Sequence, residues 1–209
     1  MNATLTTRLI SFDVSGMEVV GTVTSPVLAR GIVVFVQETL SAADVDLERA
    51  FERRGLATLL LDLSHVADLG AAAIAAIDYL RHDRELACLP RGLFGTGEGA
   101  AASAFAAAHR PNEVAAIVTR GGRPDTLGHT LAHVHAPMLL LVGALDRASL
   151  VTGRSALAEL RHGALSLVPD ASQRFDEPGA LDTVARLAGT WFLDHLVTEA
   201  TGYAAASSL

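Results

Sequence analysis

The feature that most constrains the fold is a continuous run of apolar, mostly β-branched residues at 31–36. A strand that is apolar without alternation is typical of a parallel sheet buried on both faces. Further strand-like runs lie at 57–63, 91–95, 113–119, 138–143 and 164–168, and segments with helical spacing lie between them at 42–54, 68–82, 98–109, 150–161 and 178–196. This alternation predicts an α/β fold with a mostly parallel central sheet and helices on both faces.

The amino-terminal part of the chain has a different pattern. Residues 8–14 and 17–24 alternate polar and apolar around Ser15 and Gly16, which predicts an antiparallel hairpin. No low-complexity linker interrupts the chain, so we expect one domain over residues 1–198. Residues 199–209 are small and polar, and we expect a flexible tail there.

Composition excludes several classes of partner. The net charge of −7 argues against nucleic acids and anionic membranes, both of which require a basic surface. No apolar run reaches the length needed to span a bilayer, and the start of the chain lacks the core of a signal peptide. A single cysteine, Cys88, excludes an internal disulfide and a multi-cysteine metal site. We therefore expect a cytoplasmic protein without a cofactor or bound metal.

The segment 93–99, Leu-Phe-Gly-Thr-Gly-Glu-Gly, joins a strand to a helix with glycines two residues apart. This is the frame of a nucleophile elbow, in which small flanking residues permit a sharp turn that exposes the middle side chain. Together with the element order and the segments at 120–125, 141–146 and 177–181, it resembles the α/β-hydrolase family. The resemblance covers residues 19–196 and is greatest to small dienelactone-hydrolase-like members.

The resemblance also implies that the catalytic triad is degenerate. The nucleophile position of the family falls on Gly97, which has no side chain. The histidine position falls on Gln173, whose amide cannot accept a proton near neutral pH. The acid position is retained as Asp146.

The region expected to bind an oxyanion departs from the family as well. Relatives often have His-Gly directly after the strand that corresponds to residues 31–36, whereas this chain has Gln37, Glu38 and Thr39. Glu98 follows the vacant nucleophile position, although a carboxylate is also favoured in the first turn of a helix. If Glu38, Glu98 and Asp146 face one pocket, they are candidate acid/base groups or suit a cation. We expect the same pocket to be lined by Gln37, Thr39, Thr96, His65 and Arg120.

Other polar residues have ordinary structural explanations. Thr96 precedes the centre of the elbow and should point away from the site, and Cys88 lies before its strand. Ser41 and Ser172 suit caps or turns, and an arginine at 120 or 123 suits a pair with Asp125.

Three functions remain open. The first is a non-hydrolytic pseudo-hydrolase that binds a small molecule or a partner. The second is a repurposed enzyme, of lyase, isomerase, cyclase or hydratase type, that uses pocket carboxylates without a covalent intermediate. The third is a dienelactone-hydrolase-like esterase with an atypical nucleophile at Thr96, Ser64 or Cys88. A role in assembly as a homodimer is a further alternative.

Overall fold

The computed structural model describes residues 4–206, with side chains described through residue 196. Eight strands form one sheet in the order β1-β2-β4-β3-β5-β6-β7-β8. The strands are β1 (Leu5–Val14), β2 (Met17–Pro26), β3 (Ile32–Val36), β4 (Ala57–Leu61), β5 (Arg91–Thr96), β6 (Ala116–Arg120), β7 (Met138–Gly143) and β8 (Gly163–Val168). Strands β3 to β8 are parallel, and β2 joins β4 in the antiparallel direction. The predicted α/β-hydrolase architecture is confirmed.

The hairpin of β1 and β2 follows from its turn residues. Ser15 and Gly16 both have positive φ, 53° and 86°, as the two central residues of a type I′ turn require. The adjoining pair Val14 and Met17 is in register, which confirms the antiparallel hairpin predicted from the sequence.

Within residues 4–206, five α-helices cover the two faces of the sheet. They are α1 (Ala42–Glu52), α2 (Leu69–His82), α3 (Glu98–His109), α4 (Arg147–Glu159) and α5 (Ala180–Ala206). Asp68 caps α2 by accepting a hydrogen bond from the Ala71 amide at 2.9 Å, and Arg81 and His82 in its last turn oppose the helix dipole.

The alternation of strand side chains divides the core into two layers. Val34, Leu93 and Ile117 face α2, α3 and α4. Their neighbours Phe35 and Phe94 face α1 and α5, where they pack with Phe51 and Phe192. The alanine-rich face of α3 packs closely against the first layer.

Two elements differ from the sequence prediction. A 3₁₀ segment, Pro124–His133, which is interrupted by a kink at Gly128 (φ 50°, ψ −131°), occupies a region for which no element was predicted. Helix α5 continues to Ala206 because residues 203–206 include three alanines, which favour helix strongly. Most of the segment assigned to the tail is therefore helical in its backbone, whereas 207–209 lie outside the described residues. Across the described range, no helix combines the length and apolarity that crossing a membrane requires.

Candidate functional site

The turn between β5 and α3 has the backbone of an elbow. Gly97 has φ 56° and ψ −122°, a conformation that strains any residue with a side chain. Gly97 is exposed, and a Cβ built on it would have no heavy atom within 4 Å. The turn therefore keeps open space where a nucleophile would stand, but it provides no side chain.

The elbow is packed directly against the end of β3. A Cβ on Gly99 would lie 1.8 Å from the carbonyl oxygen of Val36, so only glycine permits this approach. The Thr96 hydroxyl donates to Oε1 of Gln37 at 3.2 Å. Gln37 is buried, and its Nε2 has no hydrogen-bond partner among the described residues. Gln37 and Thr96 thus form a partly buried polar contact next to the elbow.

The loops after β6 and β8 meet at the same edge of the sheet. A Cβ on Gly122 would lie 2.4 Å from the carbonyl oxygen of Gly97, so the β6 loop abuts the elbow. A Cβ on Gly121 would lie 3.9 Å from the carbonyl oxygen of Gln173. Gln173 itself is exposed. The β6 loop therefore packs against the elbow and approaches the Gln173 loop.

A buried ion pair supports this edge from the α1 side. Arg120 is in register beside Thr96, and its Nη2 donates to Oδ1 of Asp44 at 3.2 Å. The exposed fractions of the two side chains are 12% and 2%. Burial lowers the pKa of Arg120, while Asp44 acts in the opposite direction. The Asp44 carboxylate also accepts from the backbone N–H and the hydroxyl of Ser41, which caps α1.

The three carboxylates singled out in the sequence have different surroundings. Glu38 and Glu98 are exposed. Asp146 is half-buried, and its Oδ1 accepts from the Ser149 amide at 3.0 Å as the N-cap of α4. Within residues 4–196, no group of three or more His, Cys, Asp or Glu side chains is arranged to hold a metal ion.

Comparison with known proteins places this geometry in a family. No protein-family model matches the chain. The crystal structure of a dienelactone hydrolase from Anabaena variabilis superposes with a TM-score of 0.87 and 35% sequence identity, over 92% of this chain and 99% of that one. The chain belongs to the dienelactone hydrolase family.

More distant structures share the fold of this dienelactone hydrolase family member. Carboxyl esterase 2 from Tuber melanosporum matches with a TM-score of 0.76 at 14% identity, covering 92% of this chain and 88% of the esterase. A CIB-like hydrolase from Thermoplasma acidophilum matches with a TM-score of 0.72 at 14% identity, covering 91% of this chain and 100% of the hydrolase.

Two curated relatives carry a different name. Proteins from two strains of Mycobacterium tuberculosis, provisionally named phosphoribosyl transferases, are 40% identical over 195 residues. The match covers 85% of this dienelactone hydrolase family member. The chain spans only 44% of the length of each relative.

The structure brings together most, though not all, of the predicted pocket residues. Gln37, Thr96 and Arg120 lie beside the elbow, as described above, and Glu38 and Thr39 directly follow Gln37. His65 lies elsewhere, because its Nε2 is 3.2 Å from the carbonyl oxygen of Glu18 on β2. Two strands, β4 and β3, separate β2 from the elbow strand.

Several ordinary explanations from the sequence are confirmed. Ser41 caps α1, and the Ser172 hydroxyl accepts from the Arg174 amide in a turn. Arg123 forms two hydrogen bonds to Asp125, at 2.9 and 3.0 Å. Cys88 is an exposed loop residue.

Sequence reasoning missed Asp44, the buried partner of Arg120. The available signal was the spacing of Ser41 and Asp44, three residues apart before an amphipathic helix, which matches a capping box. That spacing predicts the hydrogen bond to Ser41 but not the distant contact with Arg120.

Proposed function

We propose that this member of the dienelactone hydrolase family is non-hydrolytic and binds a small molecule or a partner at the elbow edge of the sheet. The observation that carries the proposal is Gly97, which keeps the strained elbow turn but has no side chain. Acyl transfer through a covalent intermediate requires a side-chain nucleophile at this point.

The other triad positions support the same function. Gln173, at the histidine position, is an amide that cannot act as a general base near neutral pH. Asp146 already has a structural role, since its carboxylate caps α4. Two of the three positions therefore lack the required chemistry, and the third is explained without catalysis.

An activity-based probe tests this proposal directly. The protein is treated with a fluorophosphonate, and its intact mass is measured alongside the hydrolysis of short-chain p-nitrophenyl esters. We expect no adduct and no turnover above buffer, with an active esterase as the positive control. An adduct on Thr96, or turnover that is lost in Thr96→Val, would establish the atypical esterase instead.

Binding is measured separately from hydrolysis. Thermal shift and isothermal titration with γ-butyrolactone probe the elbow edge. We expect saturable binding that weakens in Gln37→Leu, which removes the buried amide next to the elbow. The matched control is Thr7→Val, which removes an exposed hydroxyl on β1, the edge strand far from the elbow strand.

A repurposed, non-covalent enzyme is the second candidate. The Thr96–Gln37 hydrogen bond joins the two segments that carry Glu38 and Glu98, and both carboxylates are exposed beside the elbow. Carboxylates in this setting suit proton abstraction next to a carbonyl group. Deuterium incorporation into cyclic ketones and lactones, followed by NMR, tests this activity. The exchange rate should fall in Glu38→Gln or Glu98→Gln and not in the control Glu18→Gln.

The named relatives suggest a partner. The match covers 99% of the length of the Anabaena variabilis dienelactone hydrolase, but only 44% of the length of the proteins named phosphoribosyl transferases. We infer that the transferase function belongs to the remainder of those relatives and that this chain works beside such an enzyme. With phosphoribosyl diphosphate and acceptor nucleobases both supplied, the chain alone should release no pyrophosphate, and such release would refute this assignment.

A further inference from the structure

A cleft lies at the opposite end of the sheet from Gly97. It has a volume of about 870 Å³ and is formed where β5, β6 and β7 begin. Its polar lining comprises Arg81, Arg91, Asn112, Glu113 and His135, together with the exposed Cys88. We call it the basal cleft.

The charges in the basal cleft do not balance. Glu113 is the one acid among its lining residues, and it faces two arginines, Arg91 at 3.0 Å and Arg81 at 4.0 Å. A single carboxylate compensates one guanidinium, so one positive charge is left over in a protein whose net charge is −7.

Arg91 has hydrogen-bonding capacity to spare although it is buried. Its side chain is 9% exposed, and it donates from Nη1 to Glu113 and from Nη2 to the carbonyl oxygen of Ala87 at 2.8 Å. Its Nε has no hydrogen-bond partner among the described residues. Burial lowers the pKa of Arg91, which reflects the cost of holding its charge there.

Oxyanions complement this combination of groups. Guanidinium groups bind carboxylates and phosphates through paired, charge-assisted hydrogen bonds. The exposed amide of Asn112 and the exposed imidazole of His135 provide further polar contacts on the rim. We propose that the basal cleft binds a small polar molecule through an oxyanion group, either phosphate or carboxylate.

Titration calorimetry at low ionic strength tests the site with inorganic phosphate and with succinate as separate ligands. We expect one saturable site, and the ligand that binds more tightly identifies the oxyanion. Affinity should fall about tenfold in Arg81→Met, which removes a half-exposed cation and should leave the fold intact. Arg91→Lys should also weaken binding, because lysine keeps the charge but lacks the guanidinium fork.

The matched control is Arg84→Met, which removes a nearby exposed arginine that does not line the cleft. It should bind the anion like the unmodified protein. Failure of both anions to bind at millimolar concentration would overturn the proposal. Equal weakening in Arg84→Met and Arg81→Met would also overturn it, since the effect would then be general electrostatic attraction.

Discussion

Restoring two side chains at the elbow edge should convert this protein into a covalently reactive one. The change is Gly97→Ser combined with Gln173→His, which returns a nucleophile and a base to the triad positions whose acid, Asp146, is retained. Oδ1 of Asp146 caps α4. Within the described residues, Oδ2 of Asp146 accepts no hydrogen bond, so it is available to accept one from an imidazole.

The cost to stability follows from the backbone at position 97. A side chain at φ 56° and ψ −122° costs about 1–3 kcal/mol in strain. No steric cost is added, because no atom lies within 4 Å of a Cβ there. Residue 173 is exposed, so its substitution should change the free energy of unfolding by about 0.5 kcal/mol or less. Urea denaturation of Gly97→Ala isolates the strain at residue 97 from any effect of the hydroxyl.

Reactivity is measured by fluorophosphonate labelling, with the adduct mapped by peptide mass spectrometry. The double variant should be labelled at residue 97 about 10²–10⁴-fold faster than Gly97→Ser alone, since the histidine supplies general base catalysis. A double variant that folds but is not labelled would refute the assignment of these positions. A loss above about 4 kcal/mol in Gly97→Ala would refute the open space assigned to the elbow.

Three further substitutions test the surrounding structure by urea denaturation. Arg120→Met should cost about 3–5 kcal/mol because it leaves the Asp44 carboxylate buried without its cation, and adding Asp44→Leu should recover most of that loss. Burial is the larger cause of a raised pKa at Glu52, and the negative charge of Glu48 raises this pKa further. The folded protein therefore binds this proton more tightly than the unfolded chain. The resulting contribution to the free energy of unfolding is fully present below the ordinary pKa of 4.5 and is lost as the pH rises through the raised pKa. Glu52→Gln should therefore stabilise the protein at pH 7 and have little effect below pH 4.5. Gly99→Ala should cost more than about 3 kcal/mol, since its Cβ would overlap the Val36 carbonyl, and an unchanged midpoint would contradict that contact.

Sequence patterns predicted the central strands of the sheet because those strands are buried on both faces. The run that became β3 (Ile32–Val36) has no polar residue, and β7 (Met138–Gly143) was predicted with its observed bounds. Helix α3 (Glu98–His109) also has its predicted bounds, because glycine at 97 and a basic residue at 109 mark its two ends. Local chemistry was sufficient at these elements.

Contacts between distant segments could not be predicted in the same way. Asp44 and Arg120 are 76 residues apart, and nothing near either one specifies the other. The placement of His65 against β2 depends on the strand order, in which β4 lies between β2 and β3. The basal cleft likewise depends on three loops that meet only after the sheet has formed.

The backbone conformation at Gly97, which glycine adopts without strain, bears on how such a protein evolves. A catalytic side chain at this position is tolerated under selection because activity compensates for the folding energy that it costs. Once hydrolysis is no longer selected, mutation to glycine relieves the strain and is favoured by stability alone. The elbow is then preserved by the packing of Gly99 and Gly122 around it rather than by its chemistry. A lineage with this architecture can therefore lose catalysis by a substitution that strengthens the fold, and it keeps a backbone on which catalysis can evolve again.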